Sequence, residues 1–420
     1  MRRLHYRPDV DSTARRLVAV VLTACAVLTV AGFALKAQCI GDYNQARDRR
    51  LCSNDIQVLY AGRGMHRHPF PYIHGSLVDG KLRGGAIEYP VLTGVFAWLP
   101  ALVARNNGSY LQLTALLLAP FSLLTAYLLT TMVRWRALIY ALAPSLVWYS
   151  FHNWDLLVVC ATVAAFHSWR RGETTSAAAW LAIGACLKLW PGFFIAALLL
   201  DRLRARDRVG LRRAAIVFGA VFGGLNGAFA LVNFQGWYAP YAFQGLRGAD
   251  ITSNSIWFWG FPQLSTGQLN ALIPVLLAVA FTAACAAGWW RSRRIGSYPF
   301  IQVSGAMLAA FMLLNKAHSP QYALWLLPFF VLVRLRWGWW VTYLTLDGVF
   351  YVGLFRWFYR LSMGGDFGIE KQAVIIGVWG RAVMLALLFV VFLRSETALL
   401  PSRMTEPVDR GTVPEVAAVV

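Results

Sequence analysis

Charge is scarce in this sequence. Of 420 residues only 14% are Asp, Glu, Lys or Arg, where a soluble chain carries roughly a quarter, so an ordinary water-soluble enzyme is excluded. Acidic residues are the scarcer kind, 19 against 39 basic. No polar stretch longer than about 50 residues occurs, which leaves no room for a separate soluble domain. No internal repeat is present, and a transporter built from inverted halves loses its main sequence support. The first apolar run, 17–35, follows Arg15 and Arg16 and lacks an A-x-A cleavage motif; it reads as an uncleaved first span, not a signal peptide. His66-x-His68 lacks the spacing and companion carboxylates of a metal site, so no metal is expected.

What the chain does have is apolar runs, each of about 20 residues and long enough to cross ~30 Å of hydrocarbon. The formal charge of +20 resides in short clusters between these runs, the positive-inside pattern of a membrane protein, and does not point to nucleic acid. The basic loops at 2–16, 134–136, 170–171, 202–213, 291–294 and 334–336 are therefore expected to be cytoplasmic. Ala177 to Leu200 has basic clusters at both ends, which predicts two short helices meeting at Lys188-Leu189-Trp190-Pro191. Residues 89–104, with Pro90 and Pro100, read as an interfacial or re-entrant helix.

The expected fold class is an all-α polytopic membrane protein of about twelve transmembrane helices, with interfacial helices in the first outer loop. The spans are placed at 17–37, 110–132, 137–151, 154–169, 175–187, 191–200, 212–233, 269–290, 298–315, 319–333, 338–355 and 371–393. A basic N-terminus (1–16) and a disordered tail (394–420) would both be cytoplasmic, flanking a single membrane domain (17–393) whose first outer loop covers 38–109. The polar residues without a topological role then gather on the outer side: the loop 38–87, the turn His152-Asn153-Trp154-Asp155, the Lys188 apex, and the loops 235–268, 315–321 and 356–370.

Three groups carry chemistry, and two weaker candidates join them. Asn54-Asp55 opens an apolar, aromatic-rich segment that continues to Arg63 and, later, Glu88-Tyr89-Pro90. A poorly solvated carboxylate there suits a general base for an acceptor hydroxyl, while the structural alternative is that Asp55 caps a surface helix. Lys188 at an apolar apex needs an anion, and a lipid phosphate fits; the alternative is a lysine that snorkels to the surface. The turn Asn315-Lys316-Ala317-His318-Ser319-Pro320-Gln321-Tyr322 fits phosphate or sugar hydroxyls, or is a simple polar turn. His152 with Asp155, and Asn254 with Ser255, are weaker candidates of the same kind. Of six cysteines, Cys25, Cys160, Cys186 and Cys285 lie in spans and read as packing residues. Cys39 and Cys52 lie together on the oxidising side, where a disulfide would stabilise by about 3 kcal/mol and pin the segment leading into Asp55.

The order of these motifs resembles glycosyltransferase family 87, bacterial GT-C enzymes that use polyprenyl-phosphate sugars. An outer-loop Asp precedes Tyr-Pro, then Lys-x-x-Pro, then His-Ser-Pro-Gln-Tyr, over about residues 15–395. The resemblance implies a GT-C fold and inverting transfer, commonly from β-mannosyl phosphate, with no cofactor beyond the donor lipid. By position it implies Asp55 as base and Lys188, His318, Lys316 and Arg63 at the donor phosphate. Asn54, Glu88, Tyr89, Gln321, Tyr322 and Asn254 would contact substrate. Two departures bear on sugar or acceptor preference: His152-Asn153-Trp154-Asp155 stands where relatives read Gly-Gln-x-Asn, and Glu88-Tyr89-Pro90-Val91 where they read Thr-Tyr-Pro-Pro.

The expected function is therefore a membrane mannosyltransferase acting at the outer face on a glycolipid or glycan acceptor, in cell-envelope lipoglycan synthesis. Expected partners are the polyprenyl-phosphate sugar, that acceptor and membrane lipids. An arabinofuranosyl donor is the nearest alternative; a lipid or solute transporter would need polar residues along a path through the bilayer, and a scaffold would tolerate loss of Asp55 and Lys188.

Overall fold

The computed structural model describes residues 8–366 and 368–400, with side chains from Ser12 onward. The basic residues of 2–7 and the tail 401–420 lie outside the described residues. In chain order the helices are α1 (Pro8–Ala37), α2 (Tyr43–Ala46), α3 (Asp55–Gly62), α4 (Val91–Ala101), α5 (Asn107–Val133), α6 (Leu138–Ala141), α7 (Pro144–Tyr149), α8 (Asp155–Arg170) and α9 (Thr174–Leu187). They continue as α10 (Trp190–Arg204), α11 (Arg208–Val232), α12 (Phe234–Leu246), α13 (Ile256–Gly260), α14 (Thr266–Ile295), α15 (Phe300–Leu314), α16 (Ala323–Leu332), α17 (Trp337–Ser362) and α18 (Ile369–Arg394).

Five segments are long and apolar enough to cross a membrane: Ser12–Ala37, Asn107–Ala141, Arg208–Val232, Thr266–Ile295 and Ile369–Arg394. Shorter apolar helices pack among them; α16 is buried along its whole length. The chain is a largely helical membrane protein, but helix length does not support twelve separate spans. The run 137–151 is not one helix. A 3-10 turn, α6 and α7 follow one another, broken at Leu142-Ala143 because Pro144 disfavours helical backbone in the residue before it. The expected loop 235–268 contains α13 and nearly all of α12, and α17 runs on to Ser362, shortening the expected loop 356–370.

One element departs from the all-α expectation. Strands β1 (Ser76–Val78) and β2 (Lys81–Arg83) pair antiparallel, Ser76 opposite Arg83. Asp79 and Gly80 turn between them with φ of 49° and 70°, the two left-handed residues that an Asp-Gly hairpin turn supplies.

The predicted hairpin at Lys188 is present. α9 stops at Leu187, Lys188 is extended (φ −150°, ψ 141°), and α10 restarts with Pro191 in its first turn, where the missing N–H costs nothing. The carbonyl of Leu187 accepts from Thr93 Oγ1 of α4 (2.7 Å), so the helix read as interfacial braces the apex. The loop that follows α1 is tied down at two points. Cys39 and Cys52 form the expected disulfide. The Nζ of Lys36, buried at the end of α1, donates to the Ser53 carbonyl (2.9 Å) and the Tyr351 hydroxyl (3.1 Å) of α17.

Ionisable groups are not confined to the loops, as α17 and α18 show. Near the middle of each, Asp347 and Arg381 form a wholly buried ion pair (3.2 Å). Arg381 also donates to the Gly377 carbonyl (3.1 Å) and lies 3.6 Å from the centroid of the Phe350 ring. Breaking such a pair leaves one uncompensated charge in apolar surroundings. Arg381→Leu is expected to destabilise the protein by about 3–5 kcal/mol, and Asp347→Leu/Arg381→Leu by markedly less. Thermal unfolding in detergent, followed by tryptophan fluorescence, compares the two.

Candidate active site

Asn54 caps α3: its side-chain oxygen accepts from the Gln57 N–H (2.8 Å). Its amide donates to Gln57 Oε1 (2.8 Å) and the Cys52 carbonyl (3.0 Å). The cap is thus Asn54 and not Asp55, which leaves the Asp55 carboxylate for other partners. Asn54 is buried with its bonds spent inside the loop, which corrects its assignment to substrate binding.

The N–H of Asp55 donates to the His152 carbonyl (2.7 Å), docking α3 against the turn that precedes α8. Asp55 Oδ2 accepts from Asn153 Nδ2 (2.7 Å) and from the Tyr89 hydroxyl (3.4 Å), and Asn153 also donates to the Tyr89 hydroxyl oxygen (2.6 Å). Burial raises the Asp55 pKa above the usual carboxylate value; the Asn153 hydrogen bond and the charges of Lys188 and Arg247 oppose that rise. A carboxylate held this way is a stronger base than one in water.

Lys188 comes to the same place from the hairpin. Its Nζ donates to Asp155 Oδ1 (2.6 Å), which also accepts from Trp325 Nε1 (2.7 Å). The rings of Trp325, Tyr89 and Tyr322 surround the ammonium at 5.2, 5.3 and 5.8 Å, close enough for cation–π attraction. The Asp155 side chain is fully buried while that of Lys188 keeps 11% of its surface exposed, so the cation is the accessible member of the pair. Asp155 Oδ2 has no hydrogen-bond partner.

His318 joins through rings: it stacks on Tyr322 (5.7 Å between centroids), which stacks on Trp325 (3.6 Å). Its Nδ1 lies 3.1 Å from the Met312 carbonyl, which makes Nδ1 the protonated nitrogen and leaves the unpartnered Nε2 an acceptor. Burial, then the Arg381 charge, push its pKa well below the usual histidine value. His318 is therefore a neutral acceptor suited to a hydroxyl, a correction to its expected role as a phosphate-binding cation.

The remaining expected residues lie further out. Arg63 is paired with Glu88 (Nε to Oε2, 3.0 Å), so the two neutralise each other beside Tyr89. Lys316 donates to Asn270 Oδ1 (2.6 Å) and the Gly245 carbonyl (3.3 Å), toward α14 and α12. Burial, then the Arg247 charge, lower its pKa. Asn254 is buried with φ of 52°; its amide donates to the Thr252 carbonyl (3.0 Å) and its oxygen is unpartnered, as is that of buried Gln321. Sequence reasoning ranked Asp155 and Asn153 low and passed over Arg247 and Trp325. The Asn-x-Asp of the 152–155 turn carried a signal, whereas Arg247, the residue that ends α12, carried none.

Residues 89–315 match the model of glycosyltransferase family 87, more than half of the chain. The chain belongs to this family. The match includes Tyr89, Asn153, Asp155, Lys188 and Arg247; Asp55, His318 and Tyr322 lie outside it and reach the cluster through the fold. Among curated proteins no match is found. Family membership makes the chain a membrane glycosyltransferase, which takes a sugar from a donor to an acceptor.

Arg247 holds the Asp55 pKa down, so its removal lets that pKa rise. A base works only when deprotonated, and activity is lost as pH falls through its pKa. Arg247→Gln is expected to move the acidic limb of the pH–rate profile upward by about half a unit to one unit. The log of kcat/KM against pH, for wild type and variant, measures the shift.

Proposed function

We propose that this family 87 enzyme transfers a mannosyl residue, with inversion, from a polyprenyl-phosphate donor to a glycolipid or glycan acceptor at the extracytoplasmic face. The observation that carries the reading is the convergence of Asp55, Tyr89, Asn153, Asp155, Lys188, Tyr322 and His318, drawn from five separate chain segments, in one cluster. The choice of mannose rests on the family resemblance of the motifs, and the choice of face on the arginine distribution.

Asp55 accepts the proton of the acceptor hydroxyl as its oxygen attacks the anomeric carbon. The bond from that carbon to the phosphate oxygen breaks, and polyprenyl phosphate leaves as a stable anion that needs no general acid. Lys188 neutralises that anion, with Arg247 adding positive potential nearby. Tyr89 and Asn153 orient the base. The unpartnered His318 Nε2, Gln321 Oε1 and Asn254 Oδ1 are available to accept from sugar hydroxyls.

A narrow groove of about 290 Å³ bounded by α5, α8 and α9 supports the donor's approach. It runs from His167 to Leu187, the residue before Lys188, and its apolar lining suits a single prenyl chain. The decisive assay gives the purified protein polyprenyl-phosphomannose and membrane glycolipids, with products read by mass spectrometry. Asp55→Asn is expected to lower kcat by about 10²–10⁴ with the fold intact. Wild-type turnover in the folded variant refutes the base assignment, and transfer of arabinofuranose in place of mannose refutes the donor.

A further inference from the structure

The ammonium of Lys36, in the last turn of α1, has no exposed surface. Its hydrogen bonds go to neutral oxygens, the Ser53 carbonyl (2.9 Å) and the Tyr351 hydroxyl (3.1 Å), and the Tyr351 ring lies 5.3 Å away. Burying a cation away from water is costly, and two hydrogen bonds to neutral oxygens do not require a charge. The free carbonyls at the end of α1 offset part of that cost. A nearby carboxylate offsets more, and Asp55 is an anion within electrostatic reach of Lys36.

The same lysine holds the backbone ahead of that acid. The Tyr351 hydroxyl, which accepts from Lys36, donates to the Leu51 carbonyl (2.5 Å). Leu51 has φ of 59°, in the left-handed region that a leucine keeps only where its surroundings impose it. Cys52 of the disulfide follows, then Ser53 under Lys36, then the Asn54 cap and Asp55. His152, whose carbonyl accepts the Asp55 N–H, also feels the lysine. Burial, then the Lys36 charge, push its pKa well below the usual histidine value, so His152 is neutral and cannot stand in for the cation. Asp55 is faced besides by Asn153 and Tyr89 through hydrogen bonds, by the charges of Lys188 and Arg247, by the acid Asp155, and by the hydroxyls of Tyr43 and Tyr322.

We propose that Lys36 is a positioning residue for Asp55: its buried ammonium fixes the peptide at Ser53 and serves as a counter-charge that favours the ionised form of the Asp55 carboxylate. The inference rests on the assignment of Asp55 as base and deepens it. Lys188 and Arg247 are placed to meet the donor phosphate, so their charge is shared with substrate. Lys36 is sealed behind the loop and its charge is not. It therefore acts on the base equally in the empty and the loaded site.

The test uses the full-length enzyme in detergent and three variants. Lys36→Met removes both charge and hydrogen bonds, Lys36→Gln removes the charge but keeps an N–H donor, and Lys36→Arg keeps the charge. Infrared difference spectroscopy reads the carbonyl stretch of protonated Asp55, assigned as the band absent from Asp55→Asn, and follows it with pH without any turnover. Loss of a positive charge raises a carboxyl pKa, so the midpoint is expected to move upward by about half a unit to one unit in the Met and Gln variants. The Arg variant is expected to titrate as wild type. The acidic limb of log kcat/KM against pH is expected to move with the infrared midpoint. An unchanged midpoint in the uncharged variants overturns the inference, even if their turnover falls at every pH, because a purely structural tie would do that. A Gln variant that titrates as wild type also overturns it, and decides the matter alone where the Met variant fails to fold. The expected infrared shifts in a protein that transfers no sugar would instead overturn the transferase reading and leave the coupling of Lys36 to Asp55 standing.

Discussion

The Lys188–Asp155 ion pair is the contact on which the rest of the site depends. It fastens the broken apex between α9 and α10 to the first residue of α8, and through Trp325 to α16. Removing either partner would leave a lone charge among aromatic rings, which is why the apex is fixed in place and not free to snorkel. The pair as a whole is neutral. In the proposed reaction an arriving phosphodiester shares the lysine with Asp155, and the departing phosphate, which gains negative charge, is held by the lysine more strongly than the diester it came from. A sequence with Asn in place of Asp155 would present a bare cation and a different balance between binding and release.

Asp55 gains its character from the same surroundings. Its Oδ2 accepts from the Asn153 amide and the Tyr89 hydroxyl, and Lys188 lies over the Tyr89 ring. Burial makes the carboxylate more basic, and an amide and two cations oppose that rise. This demands a loop that does not wander, and the sequence of restraints leading to it is continuous. Lys36 grips Ser53, the disulfide closes 39–52, Asn54 caps α3, and the His152 carbonyl takes the first N–H of that helix. Beneath the site the Asp347–Arg381 pair holds α17 to α18 and projects positive charge toward His318.

Local features were legible from the residues. A lysine and a proline in an apolar run betray a helix break, and two cysteines close together in one loop betray a crosslink, because neither inference requires a distant partner. Asp55 stood out for the same reason, as an isolated acid heading an aromatic segment, and the fold brings it beside Asn153 and Tyr89. Pairings across the fold were not. Nothing near Lys188 in the chain marks Asp155 as its counter-ion, 33 residues away, and nothing near Asp347 announces Arg381. The same gap explains the misreading of His318. Its neighbours Lys316 and Ser319 suggest a cationic turn, whereas its burial and its bond to the Met312 carbonyl make it neutral. The run 137–151 was read as one helix because hydropathy was read without Pro144, and the Asp79-Gly80 hairpin was missed although its turn is written in the sequence.

The central claim is spatial: donor phosphate at Lys188, anomeric carbon facing Asp55. An electron-microscopy structure of the enzyme with a non-transferable polyprenyl phosphonate sugar tests it most directly. The account predicts a phosphonate oxygen within hydrogen-bond distance of Lys188 Nζ, the sugar between that lysine and the Asp55 carboxylate, and the prenyl chain in the groove ending at Leu187. A phosphonate seated away from Lys188, or a sugar with its anomeric carbon turned from Asp55, would contradict it.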